Sequence, residues 1–208
     1  MEAVKAGRRR IFEIYVAADR GPARLAPLRA VAEKGRIPVT ALDRPQLVSM
    51  AGTESHQGIA ARVSGYPFAD LSDLMDASLA DAAGCLWLLL DSIVDPNNQG
   101  ALARTALCAG VQAMVIPRDR SAPPTPAVSK ASAGALEHLR LARVANLVNT
   151  LRTLKKRGVW IAGTDRAAEK NIYASDLTGP LAVVIGGEEK GLRPLVKTHC
   201  DFLMTIPQ

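Results

Sequence analysis

At 208 residues the chain is long enough for one large domain or two small ones, and 48% hydrophobic with 22% charged residues is an ordinary balance for a packed protein. A formal net charge of +6 favours a polyanionic partner, nucleic acid before others, although a solvated basic surface has the same composition. Three distant cysteines, Cys85, Cys108 and Cys200, with no CxxC pair exclude a disulfide framework and a zinc site, and apolar runs such as Cys85 to Leu90 are far too short to cross a bilayer. In chain order, Ile11 to Ala17 reads as a strand, Ala23 to Lys34 as a helix with Leu25, Leu28 and Val31 near one face, and Ile37 to Ala41 as a short strand. Arg44 to Met50 is a short helix and Gly58 to Val63 a further strand, which completes a small α/β unit.

A linker is expected next, over 65–83, with a helix around Leu71 to Leu79 inside it. The continuous apolar run Cys85 to Asp91 is of the kind found in buried parallel strands. A helix over Gln99 to Ala109 and a strand over Ala113 to Ile116 follow. Pro117 to Pro126 holds four prolines and reads as an irregular loop. Leu139 to Val144 is a candidate strand and Leu147 to Arg157 a basic amphipathic helix. Val159 to Ala162, Leu181 to Ile185 and Phe202 to Ile206 are the remaining strands. The alternation predicts an α/β fold with a mostly parallel sheet and helices on both faces. Domains are expected at 1–64 and 84–208.

Three segments carry chemistry. Asp95-Pro96-Asn97-Asn98-Gln99-Gly100-Ala101-Leu102-Ala103-Arg104 opens a helix after a buried strand, with Asn97 or Asn98 as its cap. Asn98 and Arg104 are six residues apart, so their directions differ by roughly 120° and spacing alone does not give them one face. A capped helix with a solvated Arg fits the same residues; a ligand site at the end of a parallel strand is the other reading. In Ile185-Gly186-Gly187-Glu188-Glu189-Lys190-Gly191-Leu192 a strand runs into a glycine-rich turn, where Gly186 and Gly187 allow positive φ and close ligand approach. Its register fits neither the dinucleotide fingerprint nor a P-loop, so an unrelated nucleotide-binding domain is disfavoured. Ser129-Lys130-Ala131-Ser132-Ala133-Gly134-Ala135-Leu136-Glu137 reads alone as a structural helix, although Lys130 and Ser132 could meet a phosphate.

Taken together and in this order, DPxNxGAxxRTA, SxGALEH, GxExxGL and the terminal Ile206-Pro207 resemble the SpoU/TrmH family of RNA ribose 2′-O-methyltransferases, of the SPOUT class. His56-Gln57-Gly58-Ile59-Ala60 resembles the close of that family's substrate-binding domain. The resemblance implies a small N-terminal ribosomal-protein-like α/β domain that binds RNA and a C-terminal domain with a trefoil knot. It implies S-adenosylmethionine as methyl donor, no metal, and a homodimer formed through the C-terminal domain. It further implies Asn98, Arg104 and Glu188 as catalytic residues, and Gly163, Thr164, Gly186 and Ile206 as cofactor-binding positions. Lys5, Arg8, Arg9, Arg10, Arg118 and Lys130 are the residues expected to meet RNA. Within the family the chain looks most like the branch that methylates a guanosine ribose of large-subunit ribosomal RNA. Transfer RNA is the alternative substrate, and a non-catalytic RNA-binding protein of the same fold the main rival. The family continues past the Ile-Pro dipeptide into a further motif, so the C-terminal segment of the domain is expected to be missing here. With no signal-peptide core and no bilayer-length run, a cytoplasmic location is expected.

Overall fold

In a computed structural model the described residues are 1–54, 56–80 and 85–207, with Leu79 described by its backbone alone. The chain divides into two compact units, Met1–Pro67 and Phe68–Gln208.

The first unit contains α1 (Glu2–Ala6), β1 (Ile11–Ala17), α2 (Pro22–Lys34), β2 (Val39–Leu42), α3 (Arg44–Ala51) and β3 (Ile59–Val63). β1 lies between the other two strands, parallel to β2 and antiparallel to β3. Successive side chains of a strand point to opposite faces. Ile14 and Val16 therefore pack with Leu25, Leu28 and Ala32 of α2, while Tyr15 and Ala17 pack with Leu47 of α3. Asp43 starts α3 with a reciprocal capping box, accepting from the Gln46 N–H while the Gln46 side chain accepts from the Asp43 N–H.

The second unit contains α4 (Leu71–Leu79), β4 (Leu86–Asp91), α5 (Pro96–Cys108), β5 (Ala113–Pro117), α6 (Pro126–Ala131), β6 (Leu141–Val144), α7 (Leu147–Lys156), β7 (Trp160–Thr164), β8 (Leu181–Gly186), α8 (Pro194–Lys197) and β9 (Phe202–Met204). Among the described residues its strands form one sheet, in the order β6-β5-β4-β8-β7-β9, and every pairing is parallel. Trp87, Leu89, Val115, Ile161 and Val184 pack with Leu74 and Met75 of α4 and with Leu147, Leu151 and Leu154 of α7. The alternate residues Leu88, Leu90, Met114 and Ile116 are equally buried, so the sheet is covered on both faces.

The expected linker over 65–83 contributes to both units. Residues 65–67 close the first, and α4 supplies core side chains to the second, where the Ala69 N–H also donates to the Leu141 carbonyl at 2.9 Å. Residues 81–83 and the expected domain start at Gly84 lie outside the described residues.

The strand order decides where a ligand can sit. From β4 the chain steps outward through β5 and β6, then crosses to the far side for β7, and β8 returns to lie between β7 and β4. The direction of winding therefore reverses between β4 and β8. In open parallel sheets the connections diverge at such a point and leave a crevice beyond the strands' carboxyl ends.

Candidate active site

β4 and β8 end at the same level, with Asp91 beside Gly186 in register. The loop after β4 and the turn after β8 are in direct contact there. A Cβ on Gly187 would lie 2.7 Å from the Ser92 carbonyl oxygen, so only glycine allows this approach. The turn folds back on itself, with the Gly191 N–H donating to the Gly187 carbonyl at 2.8 Å. A Cβ on Gly186 would lie 2.1 Å from the Gly191 carbonyl carbon. The left-handed residue of the turn is Gly191, at φ 62°, and neither Gly186 nor Gly187 has positive φ, contrary to expectation. Their missing side chains serve the closure of the turn itself. Glu188 projects from it, exposed.

A buried ion pair, which sequence reasoning did not find, ties the two segments together. The Asp91 carboxylate is fully buried and accepts from the Arg193 N–H at 2.8 Å and from Arg193 Nε at 2.6 Å. A carboxylate in the dry end of a sheet requires such partners, because losing water without replacement hydrogen bonds is strongly unfavourable. The one signal in the sequence is a charge terminating an apolar run.

α5 begins in the β4 loop. Its cap is Asp95, not Asn97 or Asn98, because Pro96 takes the first helical position and leaves the preceding carboxylate facing the free N–H groups. The Asn97 backbone N–H, followed by the Asn98 side-chain amide, holds the Asp95 carboxyl below the usual carboxylate range. Asn98 is thereby fixed in the first turn of α5, half-buried. Arg104 stands about 9 Å further along the axis, exposed and with no partner among the described residues. α5 packs tightly from beneath. A Cβ on Gly100 would lie 2.4 Å from that of Ala131 in α6, and α6 is braced by Ser132, whose hydroxyl donates to the Ser129 carbonyl and accepts from the Leu136 N–H. The Ser129 to Glu137 segment is thus the seat of α5, and Lys130 on it is exposed.

The four expected cofactor positions gather at the same sheet edge. Gly163 pairs with Val184, Thr164 pairs with Met204, and Ile206 follows two residues later. Thr164 Oγ1 donates to the Val184 carbonyl at 3.2 Å. The absent side chain of Gly163 is explained by the chain's own packing, since a Cβ would lie within 3 Å of Cys200 Sγ, Leu203 and Leu192. Ile206 is 53% exposed, an apolar surface beside three strand ends. Backbone edges and an uncovered isoleucine suit a flat, uncharged heterocycle, so these residues fit the adenosine part of S-adenosylmethionine.

The expected RNA contacts are spread more widely. Lys5 pairs with Glu2 at 2.8 Å. Arg8 and Arg9 lie over the Tyr66 ring, at 5.5 and 5.0 Å from its centre, and Arg10 lies 5.3 Å from that of Phe12. Arg118 is exposed after β5.

Comparison with known proteins gives the family and the fold. Residues 86–208 match the SpoU rRNA methylase family, and residues 1–69 match the RNA 2′-O ribose methyltransferase substrate-binding domain. The chain is 41% identical over 201 residues to the 23S rRNA (guanosine-2′-O-)-methyltransferase RlmB of Pseudomonas putida, covering 96% of this chain and 80% of that protein. It is 43% identical to the RlmB of Photobacterium profundum, with 95% and 80% covered. The crystal structure of the SpoU methyltransferase AviRb from Streptomyces viridochromogenes in complex with AdoMet has the same fold, with a TM-score of 0.78 at 22% identity over 100% of this chain and 77% of that one. The chain belongs to the SpoU family of S-adenosylmethionine-dependent RNA ribose 2′-O-methyltransferases.

Proposed function

We propose that this protein methylates the ribose 2′-hydroxyl of a guanosine in 23S ribosomal RNA, in the cytoplasm and as a homodimer joined through its second unit. The observation that carries this reading is the contact of the α5 loop with the Gly187 turn at the reversal between β4 and β8. That contact brings the segments bearing Asn98, Arg104 and Glu188 to one crevice. The guanosine and 23S assignments rest on the likeness to the RlmB proteins over nearly the whole chain.

Gly163, Thr164, Gly186 and Ile206 hold the cofactor, largely through backbone. When bound, S-adenosylmethionine supplies an electrophilic methyl group on a sulfonium that leaves as a neutral thioether. The protein's own task is to prepare the hydroxyl, a poor nucleophile until its proton is lost. Free guanidinium hardly deprotonates, so Arg104 is no general base. Its positive charge beside the 2′-oxygen lowers the hydroxyl pKa and stabilises the forming alkoxide, while the proton passes to solvent water. Asn98, held by Asp95, orients the sugar, and Glu188 orients Arg104 or Asn98 once RNA is bound. Fixed placement of the two reactants supplies the rest.

Arg104→Lys keeps the charge and loses the planar fork. Methylation of 23S rRNA by this variant should fall while S-adenosylmethionine still binds. A wild-type rate would remove the role given to Arg104. Mass spectrometric mapping of ribose methylation in RNA from cells lacking the gene tests the substrate, since a mark missing from transfer RNA instead would redirect it.

A further inference from the structure

Residues 1–67 hold eleven Lys and Arg against six Asp and Glu, whereas residues 68–208 hold fifteen against fourteen. The excess positive charge of the molecule is therefore concentrated in its smaller part. Part of it converges on a cleft of about 590 Å³ lined by Arg9, Arg10, Arg36 and Arg62, with no acidic residue in the lining. The carboxylate paired with Arg62 is Glu13, at 3.7 Å, and it already accepts from the Tyr15 hydroxyl at 2.9 Å and the Thr40 hydroxyl at 2.7 Å. Of the four guanidinium groups gathered there, those of Arg10 and Arg36 have no carboxylate partner among the described residues, and that of Arg62 shares its one. Such an array repels itself and is relieved by a polyanion.

Two details separate this cleft from a merely solvated basic surface. The Arg10 and Arg62 guanidinium groups lie 5.3 and 5.2 Å from the centre of the Phe12 ring, which restrains both side chains beside the cleft. Arg36 has φ 51°, the left-handed conformation that glycine adopts without strain, while the adjacent Gly35 has an ordinary φ of −84°. An arginine thus occupies the strained position at the end of α2, and a glycine the unstrained one beside it. Strain of this kind is kept where the side chain has work to do.

We propose that this cleft docks the sugar-phosphate backbone of the RNA substrate, with Arg36 and Arg62 joining Arg9 and Arg10 as phosphate ligands. The proposal rests on the RNA-methyltransferase reading above and adds the place where the first unit grips. Guanidinium forks match phosphate oxygens two at a time. With two cations against its ring, Phe12 offers no platform for a stacked base. The cleft therefore positions RNA without reading its sequence.

The test is fluorescence anisotropy with labelled RNA hairpins of unrelated sequence, titrated across a series of salt concentrations. The proteins compared are the parent, Arg36→Gly, Arg62→Gln and the double variant. Arg36→Gly relieves the left-handed backbone, so its melting temperature should equal or exceed the parent's while its RNA binding weakens. A structural role for Arg36 gives the opposite pattern. The double variant should bind every hairpin about tenfold more weakly, with a log–log salt slope shallower by about 1.5. Its affinity for S-adenosylmethionine by calorimetry should match the parent's. Unchanged hairpin affinity and slope in the double variant would overturn the docking site alone. A parent protein that binds neither hairpins nor S-adenosylmethionine would overturn the methyltransferase reading and this site with it.

Discussion

The two units use opposite physical means. In the first, seven residues of central strand are covered on both faces by one helix each, and the chain's excess positive charge is concentrated there. In the second, net charge is nearly balanced and function rests on topology, since the winding reversal brings two turns into contact. Charge acts over distance and without sequence preference. Turn contacts act over tenths of an ångström and set where a methyl group can go. The difference teaches that binding and chemistry in this protein can be damaged separately.

The largest separation should come from Arg104→Ala. Methyl transfer should fall about 10²–10³-fold, with S-adenosylmethionine affinity and the salt slope of RNA binding unchanged. Single-turnover assays beside anisotropy would check it, and a parallel loss of RNA affinity would blur the division. Next is the ion pair beneath the turns. Arg193→Ala leaves the Asp91 carboxylate buried without its cation and its shortest hydrogen bond, so a loss of about 3 kcal/mol of stability is expected. Asp91→Asn should cost less, because the Arg193 side chain is 38% exposed and can turn to water. Denaturant melts decide the order, and an equal or reversed order would show that the pair is not the clamp described.

A smaller effect of opposite sign is expected at Gln99. Its side chain is fully buried and neither amide atom has a hydrogen-bond partner among the described residues. Gln99→Leu should stabilise the second unit by about 1–2 kcal/mol, with the melting temperature as readout. The smallest concerns thiol chemistry. Burial, and after it the Asp201 carboxylate, pushes the Cys200 thiol up to about 11, and burial raises Cys85 as well. With exposed Cys108 as the accessible thiol, labelling of the folded protein at about pH 8 should modify one cysteine quickly and the other two only on unfolding.

Most elements were legible in the sequence because their signals are local. The run Leu86 to Asp91 could be little else than a buried strand, and Leu71 to Leu79 has helical periodicity and an Asp70 cap. What was not legible was pairing. Nothing near Ile59 says that β3 runs antiparallel to β1, and nothing near Leu181 says that β8 enters beside β4. The site divided in the same way. Asn98, Arg104 and Glu188 were named from a motif order, whereas Asp91 and Arg193 are 102 residues apart and meet only in the folded chain. The sequence offers Asn97 and Asn98 as caps, yet Asp95, a carboxylate directly before Pro at a helix start, takes that place. At Gly163 and Gly186 the space that a side chain would need is taken by the protein itself, which only the folded chain shows.

The late arrival of β8 bears on how the protein is made. β4 has one long side paired by β5 soon after it leaves the ribosome, but its other side stays open until Leu181–Gly186 has been synthesised, about ninety residues later. At ordinary translation rates that interval is roughly 5–20 s. Throughout it, an apolar ribbon with unsatisfied amides is exposed to any neighbouring nascent chain. The centre of the enzyme is thus also its most vulnerable seam during birth, and yield in cells should respond more to chaperone supply than to the stability of the finished molecule.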